Sequence, residues 1–304
     1  MARVVRTRWS GPTTAGPARV RSAMTRSGDE PGGQVDLETP NPARIYDWYL
    51  GGTTNWAIDR EFGAKVLETY PAVRTMARVG REFLGRGVAR LARLGVTQFL
   101  DLGSGVPTVG NVHEIADSVN PGSRCVYVDN EPVAVAHSRV LLEREGDPAR
   151  HAVVECDLLR VDQVWEQALA TGVLDPSRPV GLIVVNVLYF FGDDAGPHEV
   201  LARYRDLLPS GSYLLATHLT EDGVPETDSE RRAQVRDRYQ RSSAPLHLRS
   251  RAEFTRFFDG LDLVDPGVVW VPEWCPDEHP SPYTDEFRTA PETSSAFAAL
   301  GRKP

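Results

Sequence analysis

"FLDLGSGVPTVGN", Phe99–Asn111, decides the fold. Its apolar start reads as a strand that runs through Asp101 into Gly103 and Gly105, and the residues beyond Val109 read as a helix. Glycines at such a turn let the backbone bend sharply and approach a ligand without a Cβ clash. The helix start adds unpaired N–H groups. By itself G-x-G fits a structural turn, a dinucleotide pyrophosphate or an adenosyl nucleoside.

Working outward, short apolar runs alternate with helical patterns, the sign of a parallel sheet with crossover helices. The strands are "TQFLDLG" (97–103), "RCVYVDN" (124–130), "HAVVECD" (151–157), "VGLIVVNVLYF" (180–190) and "GSYLLATHL" (211–219), with helices at about 109–119, 131–145, 161–171 and 198–208 between them. Three of these strands end in an acid: Asp101, Asp129 and Asp157. In an open parallel sheet, ligands bind outside those carboxyl ends.

Each acid has a candidate task. Asp129, followed by Asn130, is placed to accept ribose hydroxyls; a helix N-cap is the competing reading. Asp157 is placed to accept an adenine amine, with Leu158 against the ring, and a cap is again the alternative. A nicotinamide fingerprint needs a third glycine, where this chain has Thr108, and Asp101 would crowd a pyrophosphate with negative charge. It would instead orient the cationic methionine end of S-adenosylmethionine, beside Gly103, Ser104, Gly105 and Pro107. The electrostatics favour the sulfonium cofactor.

The ending agrees with this reading. "SRAEFTRFFDG" (250–260) reads as an amphipathic helix and "LDLVDPGVVWVPEW" (261–274) as two strands, the antiparallel hairpin that closes seven-stranded methyltransferases. Before it, "TDSERRAQVRDRYQRS" (227–242), with Arg231, Arg232, Arg236, Arg238 and Arg241, is a charged helix with little apolar face, read as an insertion at about 224–244 with a solvated surface; a substrate-covering or dimer-forming helix is the competing reading.

"PNPARIYDWYLGGTTNWAIDREF", "QFLDLGSGVPTVGNVHE", "VYVDNEPVAVAHSRVLL" and "LRSRAEFTRFFDGLDLVDPGVV" resemble the actinobacterial S-adenosylmethionine-dependent methyltransferases of mostly unassigned substrate, over about residues 40–275. The resemblance implies the class I, Rossmann-like fold: a seven-stranded, mostly parallel sheet with an antiparallel last strand, in three αβα layers, with added N-terminal helices. It implies Asp101, Gly103 and Gly105 on the methionine side, Asp129 on the ribose and Asp157 near the adenine. It fixes no substrate. Family members often show "VLHF" where this chain has "VLYF", so Tyr189 stands in place of a histidine.

For catalysis, His218 at the end of the fifth strand is the candidate base, with a hydrogen-bonded structural histidine as the alternative. His113 reads as core or surface. Asn186 with Tyr189 gives N-x-x-Y at the end of the fourth strand, but without the prolines of the N-P-P-Y pattern of amino-methyltransferases that loop geometry is unsupported; Asn186 is placed with the cofactor-binding residues and Tyr189 with the substrate or lid residues. In "YDWYLGGTTNWAID" (46–59), Tyr49, Asn55 and the neighbouring aromatics beside Gly51-Gly52 suit a lid over cofactor and acceptor. A buried aromatic helix face is the competing reading.

Composition bounds the rest. The chain has 304 residues, 41% of them hydrophobic, and a net charge of -8, which argues against a general nucleic-acid or anionic-membrane binder and favours a small-molecule acceptor. Three scattered cysteines suit a reducing cytoplasm and no disulfide framework. "CPDEHP", with Cys275, Asp277, Glu278 and His279, is short of a closed metal site, so no metal is expected. No apolar run is long enough to span a membrane. Residues 1–40 read as a disordered tail that contains Met24, a second candidate start, followed by a helical cap at 41–94, the methyltransferase core at 95–275 and an extension at 276–304. Oligomeric state is not legible. The competing functions are an NAD(P)-dependent oxidoreductase and a non-catalytic S-adenosylmethionine-binding regulator.

Overall fold

A computed structural model describes residues 36–107, 110–278 and 282–304. The proposed tail up to residue 35, Thr108 and His279 lie outside the described residues.

Three helices come first: α1 (Pro42–Leu50), α2 (Ala57–Thr69) and α3 (Ala72–Arg93). Then follow β1 (Gln98–Leu102), α4 (Val112–Val119), β2 (Arg124–Asp129), α5 (Pro132–Glu145), β3 (His151–Glu155), α6 (Val161–Ala170), β4 (Gly181–Val184), α7 (Pro197–Leu207) and β5 (Tyr213–Leu219). The chain ends with α8 (Ser229–Gln240), α9 (Arg251–Arg256), β6 (Asp262–Leu263), β7 (Val269–Trp270), α10 (Pro282–Glu286) and β8 (Ala296–Arg302).

The strands lie in the order β3-β2-β1-β4-β5-β8-β6, with β7 also paired to β8. β1 to β5 are parallel; β8 runs antiparallel to β5, from Tyr213 opposite Arg302 to Leu219 opposite Ala296. Alternation along each strand splits the core in two. Leu100, Leu102, Val126 and Val128 face α6, α7 and α9, while Phe99, Tyr127, Ile183 and Leu215 face α3 and α4. Asp101 is in phase with Phe99, so it points toward α3. The chain order reverses between β1 and β4, which opens a crevice at the carboxyl ends of these strands.

Three expectations need correction. The mostly parallel sheet with an antiparallel last strand is the one expected, seven strands in order with the short β7 beside them, but its antiparallel closing strand is not the 261–274 segment. β6 and β7 are two residues each and both pair with β8, which lies in the expected extension. "AFAALGR" takes the inner position because its apolar residues are buried on both faces, and at Gly301 a Cβ would stand 2.7 Å from the Phe258 ring. The fourth strand stops at Val184, not Phe190. The insertion helix α8 is not a wholly solvated surface: Val235 and Tyr239 are buried with Ile45, Tyr49, Val66 and Tyr70, joining α8 to α1 and α2.

Candidate functional site

At the end of β1 the Gly103 and Ser104 N–H groups both donate to the Val128 carbonyl, at 2.8 and 3.1 Å, so the turn folds back over β2. Gly103 has φ +66°, and a Cβ there would lie 2.5 Å from a Val187 methyl. Only glycine fits both the dihedral and the contact. Gly105 donates its N–H to Asp129 Oδ2 at 2.7 Å, and Glu131 donates its N–H to Oδ1 at 2.8 Å. The Asp129 carboxylate is thus the hinge between the glycine turn and the start of α5.

Asp101, Asp129 and Asp157, with Gly103, Ser104, Gly105, Asn130 and Leu158, line one cavity of about 620 Å³. That volume is within the range of small-molecule sites, ~300–1,000 Å³. Burial raises the Asp101 carboxyl to about 7, opposed by the nearby Arg81 guanidinium and reinforced by Asp129. Burial also raises Asp129, against its backbone hydrogen bonds. Asp157 accepts the Leu159 N–H at 2.9 Å through Oδ1. The Ser104 hydroxyl oxygen is buried without a hydrogen-bond partner.

Beyond β4 the chain turns at Asn186, a non-glycine residue with φ +59°. Its N–H donates to Thr217 Oγ1 at 2.8 Å, and its Nδ2 donates to the Tyr46 hydroxyl at 3.0 Å. Tyr46 in turn donates to the Ala77 carbonyl at 2.9 Å. Gly80 makes room on α3, since a Cβ there would be 2.5 Å from Asn186 Nδ2. This left-handed turn, tied to both α1 and α3, ends the expected long strand early and brings Asn186 and Tyr189 into the cavity wall.

The opposite wall comes from the helical cap. Asn41 caps α1 by accepting N–H bonds from Ala43 and Arg44, and its Nδ2 donates to Glu131 Oε2 at 2.7 Å. Buried Arg44 pairs with Asp59 at 2.8 Å and with Glu131 at 2.7 Å. These bonds seat α1 beside the residue that follows Asp129 and Asn130. Tyr49 meets Tyr239 of α8, hydroxyl to hydroxyl, at 3.3 Å.

Three predicted site residues do not belong to the cavity. His218 is fully buried: Arg249 Nη1 donates to its Nε2 at 2.9 Å, and its Nδ1 lies 2.8 Å from the Leu219 carbonyl. Burial lowers its pKa to about 3, so it has neither a free nitrogen nor the basicity for proton abstraction. Asn55 is also spent internally, donating to Asp47 Oδ2 at 2.7 Å and to the Gly52 carbonyl at 2.9 Å. Pro107 lies off the large cavity, against a small pocket with Tyr127, Ser138 and Leu142. His113 is a core histidine whose Nδ1 meets the Tyr127 hydroxyl at 2.6 Å.

Other wall residues escaped the sequence reading: Asn41, Tyr70, Arg81, Glu131 and Tyr239; Arg232 lies in the helix for which a substrate-covering role is the competing reading. A helical-face reading of α3 could have found Arg81, because Ala77, Gly80, Arg81 and Leu84 share one stripe and all line the cavity. Among the described residues no group of three His, Cys, Asp or Glu could hold a metal ion, and no helix is long and apolar enough to cross a membrane.

A family model described as S-adenosyl methyltransferase matches residues 29–304. A DUF574 family protein from Streptomyces avermitilis is 37% identical, with 89% of this chain and 100% of that chain covered and a TM-score of 0.80. A candidate methyltransferase from Thermobifida fusca is 35% identical, with 88% and 96% covered and a TM-score of 0.78. No curated protein matches the sequence.

Proposed function

Because the chain belongs to the S-adenosyl methyltransferase family, we propose that it transfers the methyl group of S-adenosylmethionine to a small-molecule acceptor. The observation that carries the acceptor reading is one cavity of about 620 Å³ whose wall combines Asp101, Asp129 and Asp157 with Tyr46, Tyr49, Tyr189 and Tyr239. It has room for a second molecule beside the strand ends.

The residues around these aspartates fit an adenosyl nucleoside with a cationic tail. A carboxylate has about four acceptor sites, so Asp129 can hold the two backbone N–H groups and still accept from ribose hydroxyls. Asp157 keeps Oδ2 for an adenine amine beside Leu158. Asp101 and the unpartnered Ser104 hydroxyl suit the methionine end. When bound, S-adenosylmethionine supplies a methyl carbon made electrophilic by its sulfonium.

The chain's own work is to align the acceptor and exclude water. Burial raises the pKa values of Tyr46, Tyr49, Tyr189 and Tyr239, so these hydroxyls stay neutral and orient an acceptor by hydrogen bonding. Residues 41–94 and the insertion at 224–244 act as the cover. Three cysteines scattered over 304 residues support a reducing, cytoplasmic setting.

The test is incubation of the full chain with methyl-labelled S-adenosylmethionine and a cell extract, followed by separation by size. Label in the small-molecule fraction is expected. Label confined to protein or nucleic acid would contradict this reading.

A further inference from the structure

The far end of the cavity holds an unpaired cation. Arg232 on α8 donates Nη2 to the Pro225 carbonyl at 2.7 Å, while its Nε is buried without a hydrogen-bond partner. The Tyr70 hydroxyl, a neutral group, lies beside it, and the Asp228 carboxylate, paired to Arg231, lies near the same hydroxyl. Two other arginines of the same helix are paired, Arg231 with Asp228 at 3.2 Å and Arg236 with Glu221 at 2.7 Å. Arg232 forms no ion pair among the described residues. A guanidinium sunk into a cavity wall with a donor left over carries a desolvation cost that an anion would offset.

The wall between this cation and the cofactor end is aromatic. Tyr46 touches Asn186, Tyr49 lies one turn further along α1, and Tyr49 meets Tyr239. From Tyr239 back to Arg232 is two turns of α8, a rise of about 10 Å. Tyr189 lines the same space, and its hydroxyl makes no hydrogen bond to any described residue. Val73, Met76, Val235 and Leu246 complete an apolar slot. The cavity therefore has Asp101, Asp129 and Asp157, with Arg81 near Asp101, where a cationic cofactor fits, and Arg232 beside the paired Arg236 and Glu221 at the other end.

Resting on the methyltransferase reading above, we propose that the acceptor is a planar apolar molecule with an anionic group, carboxylate or phosphate, which Arg232 holds while the ring lies among Tyr49, Tyr189 and Tyr239. Arg232 fixes which end of the acceptor enters first. Tyr189 meets the polar group that is presented to the methyl.

The test uses 2-naphthoate, its uncharged analogue 2-naphthamide and 2-naphthyl phosphate, titrated calorimetrically into the full chain loaded with S-adenosylhomocysteine. 2-Naphthoate, 2-naphthyl phosphate or both should bind at least about tenfold more tightly than 2-naphthamide, the scale of one charge-assisted hydrogen bond. In Arg232→Gln the preference should collapse while S-adenosylhomocysteine binds as before, which also shows that the variant is folded. The stronger of the two anions identifies the group. Equal affinity for anion and amide, no binding of either anion, or a preference that survives in Arg232→Gln overturns the proposal. Failure of S-adenosylhomocysteine to bind the unaltered chain strikes the methyltransferase reading instead, and the naphthyl probes can still be read on the unloaded protein.

Discussion

Two buried titratable residues pull stability in opposite directions with pH. Asp101 titrates near 7 in the folded protein and near 3.9 in the unfolded chain. Between those values the folded state binds the extra proton, so this group makes the protein less stable as pH rises. His218 is the reverse, near 3 when folded and about 6.5 when unfolded. The unfolded state then binds the extra proton, and the stability that His218 contributes is lost as pH falls below about 6.5. In urea unfolding over this window, Asp101→Asn should show a steeper loss of stability toward acid than the parent, and His218→Gln a shallower one. The same Asp101 proton must leave before the carboxylate can face a cationic cofactor. Calorimetric affinity for S-adenosylmethionine should therefore rise by up to about tenfold per unit between about pH 5.5 and 7, and the slope should vanish in Asp101→Asn. A titration curve as flat in the parent as in the variant would remove Asp101 from the methionine side.

At the scale of elements, the joint between α1 and α5 carries the cap. Arg44 and Asp59 are fully buried, and Glu131 is nearly so. Removing one partner of a buried pair strands the others, at a cost of about 3–5 kcal/mol. Arg44→Ala should lose that much in chemical denaturation, and Asn41→Ala about 1 kcal/mol through its cap alone. Equal, small losses in both would mean that the network is ornamental.

The elements themselves were largely legible in the sequence. Gly51 and Gly95 stop helices by taking positive φ, and the acids at three strand ends stood out in a two-residue period. What escaped reading is long-range. Ala296–Arg302 is rich in alanine, a weak strand former, and becomes a strand only because β5 offers it an edge. Val235 and Tyr239 are too sparse in "SERRAQVRDRYQ" to declare a buried face, yet two apolar residues a turn apart suffice when α1 and α2 supply the other side. His218 looked catalytic from its place at a strand end; the partner that occupies it, Arg249, is 31 residues away, and no spacing rule connects them.

Across the whole molecule, the last strand binds the layers together. β8 sits between β5 and β6, with Phe297 in one half of the core and Leu300 in the other. A chain ended before Ala296 should lose cooperative unfolding, as followed by circular dichroism, because it exposes the β5 edge and opens both cores at once. The make-up of the cavity belongs to this scale too. Its aspartates stand at the ends of β1, β2 and β3, its Arg232 on α8, and its tyrosine wall comes largely from α1 and α8. No single element contains the site.

The account stands on the aspartates of that cavity, and the most direct test is a calorimetric titration of S-adenosylhomocysteine into the full chain and into Asp129→Ala. One-to-one binding that falls by at least about tenfold in a folded Asp129→Ala, as the loss of one charge-assisted hydrogen bond requires, is the predicted result. No binding to the parent, or equal binding to both, would contradict it.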